Sequence, residues 1–196
     1  EKSTRVKARV KAQALREIIS TRDRVIIMGH RMADVDSFGA AIGIYRIAKT
    51  LEKKAHIVVN DVSSSVKPLV DLFKGNPDYE EDMIIGSPTA IELAGTNSVL
   101  VVVDVDKPSI TECPELLKMC KAIVVLDHHR RGSETIENAT LSYVEAYASS
   151  ACEMVSEILQ YIGDNIKVKP DEADCMYSGI MIDTNNFMTK TGVRTF

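Results

Sequence analysis

The chain has no tryptophan, and Phe, Trp and Tyr together supply 5% of its 196 residues. That leaves little material for an aromatic platform on which single-stranded nucleic acid could stack. It has no surplus of basic residues either: 24 Lys and Arg stand against 28 Asp and Glu, for a formal net charge of −4. A surface built to grip long nucleic acid is disfavoured, whereas a local site for a small phosphorylated molecule is not. The four cysteines, Cys113, Cys120, Cys152 and Cys175, show no CxxC spacing. They read as reduced thiols of a cytosolic protein, not as a disulfide frame or a thiolate zinc site. No apolar run approaches the ~18 residues of a membrane span, and no signal peptide opens the chain. No internal repeat or low-complexity segment is present.

What the sequence does have is a series of short apolar runs alternating with helical patterns. Buried strands are expected over 24–30, 55–60, 98–106 and 121–129, with a fifth, nearer a sheet edge, over 139–146. Helices are expected over 37–54, within 66–75, 87–95 and 113–120, and over 149–162 and 171–182, with Ser87 as an N-cap before Pro88. Ahead of them, Val6, Val10, Ala14 and Ile18 fall near helical spacing with basic residues between. This predicts an amphipathic lead-in helix over 1–20 with a solvated basic face, followed by one α/β domain over 21–196. Strands alternating with helices imply a mostly parallel sheet with helices on both faces. Ligands of such sheets gather beyond the carboxyl ends of the strands.

Acids and imidazoles stand at those ends. The first strand runs into "HRMADVD", which holds His30, Asp34 and Asp36. The third reaches Asp104 and Asp106, and the fourth Asp127, His128 and His129. Asp183 follows the apolar run in "GIMIDTNNF". Carboxylates crowded at the edge of an apolar sheet lose hydration and repel one another, so they must protonate or bind cations. Arg31, Lys107, Arg130 and Arg131 are too few and too scattered to neutralise them. Asp34, Asp36, Asp104 and Asp183 carry four negative charges, which two divalent metal ions would balance, with His30 and His128 completing a mixed nitrogen and oxygen set. Such a set suits Mn²⁺ first, with Fe²⁺, Co²⁺ and Mg²⁺ as competitors. Two such ions sharing a carboxylate activate a water toward a phosphate ester or anhydride. His56, in "KKAHIVV", reads as structural, Asp106 as a turn residue, and Tyr143, Tyr147 and the methionines as packing.

The stretches "GHRMADVDSFGAAIG", "VVVDVD", "LDHHRRG" and "GIMIDTNNF" resemble, in order, the motifs of the DHH phosphoesterase superfamily. That superfamily takes in RecJ-type exonucleases, oligoribonucleases that also take pAp, manganese pyrophosphatases and cyclic-di-AMP phosphodiesterases. "DHHRRG", "EAYASSACEMVSEILQYI", "IDTNNF", the tail "TKTGVRTF" and the lead-in "TRVKARVKAQALREII" are similar to the GdpP-type cyclic-di-AMP phosphodiesterases. The resemblance implies hydrolysis of cyclic-di-AMP to linear pApA. It implies His30, Asp34 and Asp104 at a first metal and Asp36, Asp104, His128 and Asp183 at a second, with Asp104 shared. His129 would contact the scissile phosphate, Asp127 would orient an imidazole, and Arg130 or Arg131 would contact phosphate. Ser149 and Ser150 would cap the helix that follows them.

The same resemblance implies a cytoplasmic domain of a bacterial, membrane-anchored and dimer-forming parent, with transmembrane, PAS and degenerate GGDEF regions before it and a DHHA1 domain after it. Glu1 in place of a Met start, and a tail that stops without a closing helix, agree with a piece of a longer protein. The piece itself would not touch the membrane and would turn over weakly. Two alternatives stay open: an oligoribonuclease or pAp phosphatase, and a metal-binding regulatory module inactive without DHHA1.

Overall fold

Strands that are apolar on both faces are satisfied in a parallel sheet covered on both sides. A computed structural model describes the backbone of residues 2–186 and the side chains of residues 4–182. Its elements are α1 (Lys2–Ser20), β1 (Arg24–Met28), α2 (Val35–Thr50), β2 (Lys54–Val58), α3 (Lys67–Val70), β3 (Ile84–Ile85), α4 (Ser87–Leu93), β4 (Ser98–Val103), α5 (Leu116–Met119), β5 (Ala122–Asp127), β6 (Leu141–Val144), α6 (Ala151–Ile162) and α7 (Pro170–Asn186). The six strands form one sheet in the order β3-β2-β1-β4-β5-β6, and every pairing between these strands is parallel. The chain steps outward from β1 to β3, then returns to the other side of β1 with β4. The crevice between β1 and β4 is therefore the switch point at which such sheets hold ligands. Met28 pairs with Val102, and Val103 with Leu126, so β1, β4 and β5 end side by side.

Alternate residues of the strands feed two cores. Val25, Ile27, Val101, Val103, Val124 and Leu126 pack beneath α1, α2, α6 and α7. Ile26, Met28, Leu100, Val102, Ile123 and Val125 pack against α4 and α5. The main layer is tight: a Cβ on Gly179 of α7 would lie 2.5 Å from Cys152 Sγ and 3.1 Å from Asp36 Cα. Only glycine lets α7 cross the start of α2 at that distance. Farther back along α7, Glu172 is completely buried and takes both ends of the Arg46 guanidinium, at 2.7 and 2.6 Å.

Several expectations need correction. Val6 and Val10 are exposed, at 55% and 59%, and α1 buries Ala8, Ala12, Leu15 and Ile19 instead. Those four recur at a true helical period, and the alanines allow close approach to α6. Lys11 and Arg16 donate to Ser142 O and Ile162 O, so two of the basic residues tether α1 to the sheet domain. Strand β3 was not expected, because two residues carry no periodicity. Gly86, not Ser87, caps α4. Helix α7 runs on to Asn186, past the expected end at 182. Tyr143 is buried as packing, but Tyr147 is 96% exposed. No helix among the described residues is long and apolar enough to cross a membrane.

Candidate metal centre

His30 follows β1 after Gly29, where a Cβ would lie 1.9 Å from Ser37 Oγ. Glycine there lets α2 begin directly over the end of β1. Asp34 is the N-cap of α2 and accepts from Ser37 N at 2.8 Å, so the DxD spacing puts Asp36 in the first turn. Asp36 is buried, and its carboxylate accepts from Ala151 N (3.0 Å) and Cys152 N (2.8 Å) at the start of α6. Ser150 caps that helix by accepting from Glu153 N. Two N–H groups of the α6 N-terminus are thus engaged by Asp36.

Asp104, directly after β4, has φ +63. This left-handed conformation is uncommon for a residue with a side chain, and aspartate is among those that tolerate it. Asp104 is 3% exposed and lies between two imidazoles: Oδ1 is 3.0 Å from His128 Nε2, and Oδ2 is 3.5 Å from His30 Nε2. Each imidazole has a further carboxylate. His30 Nε2 lies 3.7 Å from Asp34 Oδ1, and His128 Nε2 lies 3.6 Å from Asp36 Oδ2. His30 Nδ1 is 3.1 Å from Arg31 O. Donation to that carbonyl leaves Nε2 available as an acceptor or ligand atom facing Asp34 and Asp104, the usual orientation of a metal-binding histidine. Asp127 Oδ1 accepts from His128 N at 2.8 Å and from His129 Nδ1 at 2.7 Å. The His129 ring lies against His128, with centroids 4.3 Å apart, and is itself exposed.

The electrostatics show what the cluster demands. Hydrogen bonds to Asp104 and Asp34 outweigh burial and push the His30 imidazole up to about 11. Burial opposes charge on His128, yet Asp104, Asp36 and Asp127 together raise it. Asp127 raises His129 through its hydrogen bond. Burial works to raise Asp34, but His30 and the Ser37 N–H hold it below the ordinary range. Imidazoles that keep protons this tightly report an unmet need for positive charge. The donor atoms fit divalent ions. His30, Asp34 and Asp104 bring ligand atoms within 4.8 Å of one another, and so do Asp104, Asp127, His128 and His129. Asp104 belongs to both groups.

A cavity of about 390 Å³ opens on this centre, and its lining includes His30, Asp34, Asp104, Lys107, His129 and Arg130. Asp183 lies one helical turn past Gly179, at a position on the same face of α7. Its side chain lies outside the described residues. The two arginines differ. Arg131 donates to Ser142 Oγ at 2.6 Å and pairs with Asp106 at 3.3 Å, whereas Arg130 is exposed. Asp106, expected as a turn residue, is buried and accepts from Ile136 N. Its place as the second acid of "DVD" was the available signal. His56 is structural: it is buried, with Nδ1 2.7 Å from Asp82 O.

The model of the DHH family, N-terminal domain, matches residues 24–180. The chain belongs to the DHH family. It is 44% identical, over its whole length, to the cyclic-di-AMP phosphodiesterase GdpP of Bacillus subtilis (strain 168), and covers 30% of that protein. It thus spans about a third of the length of this curated relative. Among solved structures, an exopolyphosphatase-related protein from Bacteroides fragilis superposes with a TM-score of 0.74 at 19% identity, covering 94% of this chain and 53% of that one. RecJ from Thermus thermophilus, in complex with Mn²⁺, superposes at 0.54 with 16% identity, covering 90% of this chain and 24% of RecJ. At these identities the structures show the shared DHH fold.

Proposed function

We propose that this DHH domain is the hydrolytic domain of a Mn²⁺-dependent phosphodiesterase that opens cyclic-di-AMP to linear pApA. The observation that carries the reading is Asp104, buried between two imidazole–carboxylate pairs at the sheet's switch point. His30, Asp34 and Asp104 would hold one ion. Asp36, Asp104, His128 and Asp183 would hold the other. The Mn²⁺ seen with RecJ and the activity of GdpP support the choice of metal and substrate. When bound, divalent ions there supply charge neutralisation for a phosphoryl group and lower the cost of deprotonating water.

The remaining work falls to residues of the chain. Asp127 holds His129 through Nδ1, which leaves Nε2 free to hydrogen-bond a phosphate oxygen. Strand β5 is buried up to Asp127, directly before both histidines, and Asp127 holds the His129 ring, so the rings are pre-positioned. Under this reading the domain belongs to a membrane-anchored, dimer-forming bacterial protein, and a DHHA1 domain supplies the other wall of the substrate cleft.

The test is hydrolysis of cyclic-di-AMP with Mn²⁺, with pApA, pAp and pyrophosphate run in parallel, for the wild type, Asp104→Ala and His128→Ala. The expected result is Mn²⁺-dependent formation of pApA, slow without DHHA1, and lost in both variants. Preference for pAp or pyrophosphate would overturn the substrate assignment. Mn²⁺ binding without turnover, even with DHHA1 restored, would mark a regulatory module instead.

A further inference from the structure

We propose that Lys107 and Arg130 form a subsite for a second, non-reacting phosphate of the substrate, next to the metal centre. The inference rests on the reading above, because cyclic-di-AMP carries two phosphodiester groups. The cavity that reaches His30, Asp34 and Asp104 is also lined by Lys107, Arg130 and Arg131. Arg131 is committed to Asp106 and Ser142. The side chains of Lys107 and Arg130 take part in no hydrogen bond or ion pair among the described residues. Glu134, whose charge Lys107 feels, already uses both oxygens on Ser109, from N at 2.8 Å and Oγ at 3.0 Å.

The two cations come from different loops that the fold holds together. A Cβ on Gly132, two residues after Arg130, would lie 3.8 Å from Lys107 Cε, so the lysine stem runs beside the Arg130 loop. Ile136 N donates to Asp106 O at 3.1 Å, and the Arg131–Asp106 pair and the Ser109–Glu134 bonds close the same seam. The seam is thus ordered before any ligand arrives, which reduces the cost of binding. A carboxylate-rich metal centre can serve one phosphate only through its ions. A second phosphate would be repelled by those same acids unless uncommitted cations met it.

The experiment compares, in the full chain with Mn²⁺, cyclic-di-AMP with bis(4-nitrophenyl) phosphate, a diester with a single phosphate. Lys107→Ala and Arg130→Ala are each expected to raise KM for cyclic-di-AMP about tenfold more than KM for the single phosphate, with kcat for cyclic-di-AMP little changed. Lys107→Arg should restore the wild-type ratio. An unchanged KM ratio in both alanine variants would overturn the subsite while leaving the hydrolase reading intact. A wild type that cleaves bis(4-nitrophenyl) phosphate but not cyclic-di-AMP would overturn the substrate reading, and the subsite with it.

Discussion

Two carboxylates are buried in this domain to almost the same degree, Glu172 at 0% and Asp104 at 3% exposed, and they are treated in opposite ways. Glu172 receives the Arg46 guanidinium twice, the Tyr79 hydroxyl at 2.8 Å and the Lys169 N–H at 3.1 Å. Its charge is met by a permanent cation and its lone pairs by fixed donors, so it fastens α7 to α2 and has nothing left to bind. Asp104 faces two imidazoles, which are cations only when protonated, and more carboxylates stand behind them. A saturated buried acid is a fastener. An unsaturated one among other acids leaves a place for a cation from outside.

That contrast can be broken from either side. Asp104→Asn should lower kcat/KM for cyclic-di-AMP by about a thousandfold, or about 4 kcal/mol, while the metal-free chain still folds and unfolds in one cooperative transition. Steady-state kinetics and calorimetry would check the two halves. Glu172→Ala should do the reverse. It leaves Arg46, with only 14% of its side chain exposed, without its partner. A loss of about 3–5 kcal/mol in urea unfolding is expected, with Mn²⁺ affinity of the molecules that remain folded little changed.

Mn²⁺ at a hundred times its dissociation constant should stabilise the wild type by about 2.7 kcal/mol, and Asp104→Asn hardly at all. Thermal shift against Mn²⁺ concentration would show it. The contrast can also be tested through pH. His30 is raised from 6.5 to about 11 in the fold, so the stability it lends the metal-free chain is full below pH 6.5 and fades as the pH rises toward 11. Mn²⁺ needs the neutral imidazole, so its affinity should climb over the same range. Unfolding and Mn²⁺ titrations at stepped pH should give opposite slopes, and His30→Gln should flatten both.

Much of the centre could be read before folding because a parallel sheet announces itself. Continuous apolar runs mark its strands, and an acid or imidazole after such a run must stand at a carboxyl end. This is how His30, Asp34, Asp104 and His128 were found as a group. The order of the strands, which puts β4 and not β2 between His30 and His128, is not written locally. The misjudged face of α1 shows another limit: alanines that pack closely outweigh larger valines, and that depends on the partner helix. Asp106 and Arg131 could not be separated from Arg130 by spacing, because burial and pairing came from a loop thirty residues away. Two residues of β3 carry no period at all. Asp183 follows the most legible motif, but its side chain lies beyond the described residues.

The most direct test of the central claim is manganese-edge anomalous diffraction from crystals of this chain grown with Mn²⁺. The account predicts two peaks about 3.5–4 Å apart, on either side of the Asp104 carboxylate, with His30 at one and His128 at the other. No peak at Asp104, or peaks only at other surface acids, would contradict it.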